Sequence, residues 1–290
     1  MKRLILCIAL LMPLASNAQQ HHEFGLSAGV SGYYGDLQPE MFPDYGLKAM
    51  GGFVYKYYMS PHVGVRLGFS YTNITAADSL SDIPARKERN LSFASDLLEF
   101  HGAFEFNLLP IEKDRAKFTP YVFAGIGIFY YNPYTQGVNG EKIYLRPLGT
   151  EGQNIPSYPD RREYSLVNVS FPVGGGLKFF LGKTLLITPE IGFRYTNTDY
   201  LDDVSKSYVN MNTLKDYRGQ QAVDYSFRTD ELAGWDGNYP DYRFQRGDSK
   251  TNDLYWFGNL TITVYLRAFG NMLDYWQADC PAFLKSGRTK

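Results

Sequence analysis

Few residues in this chain of 290 have the types and spacing that chemistry needs. His101 stands between Glu99 and Glu105, and on an extended chain all three side chains share one face. An imidazole beside a carboxylate can act as a general acid/base pair. No nucleophile is marked by spacing, so the plainer reading is a histidine inside a salt-bridge network. His21 and His22 adjoin as metal ligands can. No Cys or second His pair completes a site, and the expectation is a disordered leader. Asp199, Asp202 and Asp203 offer carboxylates that could hold Ca²⁺, but EF-hand spacing is missing, and the expectation is loop acids in solvent. No glycine loop for phosphate is present. The expectation is therefore no enzyme, no cofactor and no metal.

Composition narrows the class. With 29 Lys and Arg against 30 Asp and Glu, and no basic run, nothing attracts nucleic acid. The 24 Tyr, 20 Phe and 28 Gly favour extended structure with close backbone approaches. A mean hydropathy of -0.31 suggests a soluble protein, but lipid-facing and lumen-facing residues of a membrane barrel average out along each strand. Lys2 and Arg3, the apolar run over residues 4–14 and Ser16-Asn17-Ala18 read as a signal peptide over 1–18, with the mature chain starting at Gln19. Cys7 lies inside it after Leu6, unlike a lipoprotein site, which leaves Cys280 with no internal disulfide partner.

The elements that would position these residues are strands. Residues 255–269 put Trp256, Leu260, Ile262, Val264 and Leu266 on one side and Asn259, Thr261, Thr263 and Arg267 on the other. Tilted, such a run crosses a bilayer in about 9–11 residues. Seven further runs alternate in the same way: 24–34, 47–59, 63–71, 98–108, 118–130, 167–181 and 185–195. Their connections alternate too. Short links at 60–62, 111–117 and 182–184 face long ones at 35–46, 73–97, 131–166 and 196–254. The fold class expected is all-β: an eight-stranded antiparallel outer-membrane β-barrel over residues 19–269, with long outer loops and both termini periplasmic.

Face chemistry separates a membrane barrel from a soluble one. A water-facing wall should be crowded with charge. Here the polar face is mainly Gly, Ser, Thr and Asn, with a sparse set of both signs: Lys48, Lys56, Arg66, Glu99, Glu105, Lys178, Glu190, Arg194 and Arg267. Small residues and paired charges suit the interior of eight strands, which side chains just fill, leaving little room to conduct. Tyr34, Tyr57, Tyr71, Tyr130, Tyr195 and Trp256 stand where aromatic girdles form. Function is thereby pushed to the loops and the periplasmic side. The last loop is expected to be rich in contacts yet too polar for a core of its own, and Asp199, Asp202 and Asp203 in it are possible partner contacts. The tail over 270–290 carries Tyr275 and Trp276, which could meet a periplasmic partner.

Several motifs carry a family resemblance. They are Gly32-Tyr33-Tyr34-Gly35-Asp36-Leu37, Tyr57-Tyr58-Met59-Ser60-Pro61 leading to Gly64-Val65-Arg66, Arg89-Asn90-Leu91-Ser92-Phe93, and the run from Pro189-Glu190-Ile191 through Asp199-Tyr200-Leu201-Asp202-Asp203-Val204-Ser205. In these the chain resembles the PorG-type outer-membrane barrels of Bacteroidota. The resemblance implies a non-enzymatic component of the type IX secretion system that joins the outer membrane to the periplasmic PorK/PorN ring. The other reading from the sequence is a surface barrel whose long loops bind a protein or glycan partner.

Overall fold

The computed structural model describes residues 21–110, 118–181 and 184–266. The signal peptide, Tyr275, Trp276 and Cys280 lie outside these residues. The strands are β1 (His21–Tyr34), β2 (Lys48–Tyr58), β3 (Val63–Ala77), β4 (Ser92–Asn107), β5 (Phe118–Gln136), β6 (Lys142–Tyr144), β7 (Val167–Leu181), β8 (Leu185–Thr196) and β9 (Leu254–Leu266). Among the described residues three short α-helices sit in the loops: α1 (Pro84–Arg89), α2 (Met211–Arg218) and α3 (Gln220–Ser226).

Every long strand pairs antiparallel with both neighbours in the order β1-β2-β3-β4-β5-β7-β8-β9, and β9 pairs back onto β1 from Leu254 beside Tyr34 to Leu266 beside His22. The sheet closes into an eight-stranded barrel. Closure matters in lipid, where an unpaired backbone edge has no water to satisfy it. The three-residue β6 adds only a flap to the far end of β5.

The wall is polar inside and apolar outside along the turn-end part of the strands. Phe24, Leu26, Phe53, Leu67, Phe100, Phe104, Val122, Ile126, Ile128, Phe171, Val173, Leu177, Ile191, Leu260, Ile262 and Val264 are all exposed. They form a continuous apolar belt, where a soluble monomer keeps such patches to a few hundred Å². Inside, Glu23, Lys56, Arg66, Glu99, His101, Glu105, Lys178, Glu190 and Arg194 are buried. This is the polarity of an outer-membrane-type barrel. Inward glycines make room for large partners: a Cβ on Gly68 would lie 2.3 Å from the His101 ring.

Three strands run past the ends that alternation predicts. β3 continues from Tyr71 to Ala77, β4 begins at Ser92 rather than Leu98, and β5 reaches Gln136 rather than Tyr130. In these extensions the polarity inverts. Ile74, Ala76, Phe93, Leu97 and Tyr131 point inward and are buried, while the half-buried Asn73, Thr75, Ala94, Asp96 and Asn132 take the outward positions. The change falls at one row across the sheet, Tyr71-Leu98-Tyr130-Val167. Interfacial tyrosines belong at such a level.

The inverted collar encloses an apolar plug. Leu201 and Val204, from the loop before β9, pack with Tyr33, Leu37, Ile74, Phe93, Leu97, Phe129, Tyr131, Tyr255 and Phe257. Above it lies a second core of Ile155, Tyr158, Tyr208, Val209, Met211, Leu214, Ala222, Val223 and Phe227. The expectation that the last loop is too polar for a core of its own is corrected: together with the β6–β7 loop it folds into a cap. Asn210 starts α2 by accepting the Thr213 N–H at 3.1 Å, and Met211 and Leu214 at i, i+3 turn one face into that core. The first loop folds the other way. Phe42 covers Trp256 on the outer wall, with ring centroids 5.1 Å apart, so this predicted girdle residue is buried.

Candidate functional site at the barrel mouth

Inside the lumen the charges are matched in groups. Glu105 is held by Lys178, Tyr58 and, at 3.1 Å, Lys56. Asn107 accepts a further hydrogen bond from Lys178 at 2.7 Å. Arg66 forks onto both oxygens of Glu190, with the longer arm 3.1 Å, and stacks on Phe123. Glu99 accepts from Tyr255, from His101 Nδ1 at 2.9 Å and from Arg194 Nε at 3.4 Å. Such forked and shared contacts are what a desolvated charge needs.

The predicted group of His101, Glu99 and Glu105 is thus divided. Glu99 touches the imidazole, whereas Glu105 belongs to the lysine group. Ser170 Oγ faces Glu99 at 3.4 Å, and a void of about 10 Å³ borders His101, about one water's room. His22 is not in a disordered leader: it lies in β1, with Nδ1 2.8 Å from the Tyr55 hydroxyl.

The motifs singled out from the sequence converge at the mouth instead. Tyr33, on β1, points its hydroxyl between two carboxyls, 2.7 Å from Asp202 Oδ2 and 2.9 Å from Asp253 Oδ1. The other oxygen of each accepts a backbone N–H, Asp202 from Val204 and Asp253 from Leu201, both at 2.9 Å. Gly35 permits this approach, since a Cβ there would stand 2.0 Å from Asp253 Oδ1. Asp36 accepts the Asp248 N–H at about 3.0 Å. Arg89 clasps Asp78 through two nitrogens at 2.7 Å and donates to the Asp36 and Arg246 carbonyls. Phe93 meets Tyr33 edge to face at 4.9 Å.

Asp199, Asp202 and Asp203 are therefore not solvated loop acids. They are 9%, 1% and 0% exposed, inside the cap rather than on its surface. Asp203 adopts a left-handed turn (φ 66°), a conformation Asp tolerates, and accepts from Thr150 and, at 2.7 Å, Tyr164. Buried Arg246 donates to Glu151 Oε1 at 3.1 Å and to the Asp203 carbonyl at 2.6 Å, stitching the two long loops together. Asp253, Glu151 and Arg246 complete this network and were not singled out from sequence, because their partners come from other loops.

Burial sets the protonation here. It pushes Asp199 up to about 8, aided by Asp36 and Asp202, and raises Asp203 to about 6 against the pull of Arg246. Burial also raises Asp202 and Asp253 above the ordinary carboxylate range, aided by Asp36 beside Asp202 and by Asp202 and Asp199 beside Asp253. Among the described residues no three acidic, His or Cys side chains converge to hold a metal ion.

The signature of a family described as a domain of unknown function, DUF6089, matches residues 2–222. The chain belongs to the DUF6089 family. No curated protein matches it. Among solved structures it is similar to Neisserial surface protein A at 7% identity and a TM-score of 0.41, over 84% of this chain and 96% of that one. It is also similar to Ail of Yersinia pestis, at 10% identity and 0.40 over 85% and 98%. The outer membrane protein OprG of Pseudomonas aeruginosa stands at 10% and 0.39 over 86% and 99%. The family signature covers the mouth motifs that begin at Gly32, Arg89 and Asp199.

Proposed function

We propose that this DUF6089 protein is a non-enzymatic outer-membrane component of a type IX protein secretion system, linking that membrane to a periplasmic PorK/PorN-like ring. The motif resemblance supplies the machine, and the filled lumen supplies the kind of role. The void beside His101 has about one water's room, and matched charges and an apolar plug fill the lumen around it, which favours a role at the two ends of the barrel. The two ends remain as working surfaces. Short turns and termini then face the periplasm, and the cap faces outward, the usual arrangement of such barrels. Deleting the gene should leave type IX cargo inside the cell, and crosslinking in the periplasm should capture ring proteins. Cargo export at the parental level in the deletion strain would refute this reading.

The cap favours a second reading. Tyr217, Tyr239, Tyr242 and Phe244 are exposed on it, and aromatic side chains with polar neighbours suit a protein or glycan partner. Replacing all four by Ser should abolish surface binding while cargo export continues under this reading, and should leave both intact under the first.

A further inference from the structure

The contacts of Tyr33 pose a problem in proton counting. A tyrosine hydroxyl has one hydrogen, and an ionised carboxylate has none to give. Tyr33 Oη nevertheless stands within hydrogen-bond distance of both Asp202 and Asp253. With both acids ionised, one of the two contacts would set oxygen against oxygen with nothing between. The backbone N–H groups of Val204 and Leu201 occupy the other carboxyl oxygens. A carboxyl proton is therefore best placed on one of the two oxygens facing Tyr33, Asp202 Oδ2 or Asp253 Oδ1.

We propose that one proton, shared by Asp202 and Asp253 through the Tyr33 hydroxyl, latches the cap into the barrel mouth, and that losing it releases the cap. The latch ties β1, the start of the last loop and the entry to β9. It acts on the plug itself, because the amides it fixes belong to Leu201 and Val204, both buried among the mouth aromatics.

Among the described residues, the surrounding groups bring no Lys or Arg into salt-bridge contact with the dyad. Asp36 faces it from the first loop, and Asp199 lies on its own loop, with Oδ2 buried and unpartnered. Arg89, from α1, pulls on Asp202 from a distance and is itself clasped to Asp78. From the cap, Arg246 is engaged by Glu151 and Asp203. Asp248 presents its backbone N–H to Asp36. A proton rather than a fixed cation neutralises the pair.

The sign follows from linkage. Both carboxyls hold a proton more tightly with the cap closed than when solvated, so closure is fully favoured in acid and weakens as pH rises through the raised values.

The test uses the full-length protein in lipid nanodiscs and hydrogen–deuterium exchange, corrected for the pH dependence of the intrinsic rate. Between about pH 6 and about pH 9, protection over residues 199–209 should fall by about tenfold or more, while residues 98–106 stay unchanged. Asp202→Asn and Asp253→Asn can each donate an amide N–H to Tyr33 and still accept the backbone N–H. Each should keep protection at about pH 9 within about twofold of that at about pH 6. Tyr33→Phe, which removes the bridge, should lose protection already at the lower pH. Equal wild-type protection at both pH values, or the same loss in both Asn variants, would overturn the latch. Recovery of the wild type at high pH on adding Ca²⁺ would overturn it too, by making the cluster a cation site.

Discussion

The two ends of β3, β4 and β5 belong to the same strands and obey opposite rules. On the turn side of the Tyr71-Leu98-Tyr130 row, Phe100, Phe104, Ile126 and Ile128 face outward while Arg66, Glu99 and Glu105 are buried inside. On the loop side the inward residues are Ile74, Phe93 and Tyr131, and outward positions fall to Thr75, Asp96 and Asn132. Side-chain direction is fixed by the pleat in both halves. What changes is the medium: lipid around the first half, water around the second. The wall is therefore a membrane barrel that continues as a soluble one, and the cap closes the soluble end as a core closes any water-soluble sheet.

Charge follows the same division. In the lipid-surrounded half the lumen carboxylates sit against fixed cations, Glu99 against Arg194, Glu105 against Lys56 and Lys178, and Glu190 against Arg66. At the mouth, Asp202 and Asp253 meet across a tyrosine hydroxyl instead. Fixed pairs suit a permanent filling, whereas a shared proton suits a contact that can be undone.

The largest effect should come from breaking a lumen group. Glu105→Ala leaves Lys56 and Lys178 facing each other without their carboxylate and should cost about 3–5 kcal/mol, read as urea unfolding in detergent. A loss below about 1 kcal/mol would mean that the lumen is wet and the pairing incidental. Next, Ile126→Arg, which puts a charge on the lipid-facing wall, should cost about 2–4 kcal/mol, whereas Ala94→Lys, outward but beyond the boundary row, should stay within about 0.5 kcal/mol. Similar costs at both positions would erase the distinction between the halves. In the cap, Leu214→Ala should weaken local protection by about 2–3 kcal/mol without moving the barrel's unfolding, because its core is separate from the wall. The smallest effect belongs to Lys142→Ala, which removes a 3.1 Å pair to Asp96 that is nearly half exposed on both sides, worth about 0–1 kcal/mol.

The lipid-surrounded half was legible in the sequence, because one apolar face repeats there at every second residue. Its continuation was not, for a definite reason. In β3 the apolar residues move from odd positions, Val63 to Tyr71, to even ones, Ile74 and Ala76. In β4 they move from Leu98 and Phe100 to Phe93 and Leu97. Following a single face makes the strand seem to stop where it only changes surroundings. The alternation itself persists, and a search for it at either parity would have found the extensions. Tyr121 and Phe123 make the inner face of β5 less polar than that of its neighbours, since they face inward beneath the Lys178 and Arg66 cations. The cap was not read from the sequence, although the Asn210 cap and the Met211 and Leu214 spacing are a local signal for α2. The burial of Asp202 and Asp253 could not, because it depends on β1, α1 and the first loop meeting them across the mouth.

The inversion of polarity along a single strand is tested most directly by quenching with brominated lipids. Single Trp substitutions at Phe104, Phe100, Ala94 and the inward-facing Phe123 would be read as the difference from the parent protein in bilayers. Strong quenching at positions 104 and 100, with none at 94 or 123, is the expected result. Quenching at 94 equal to that at 104, or stronger at 123 than at 104, would contradict it.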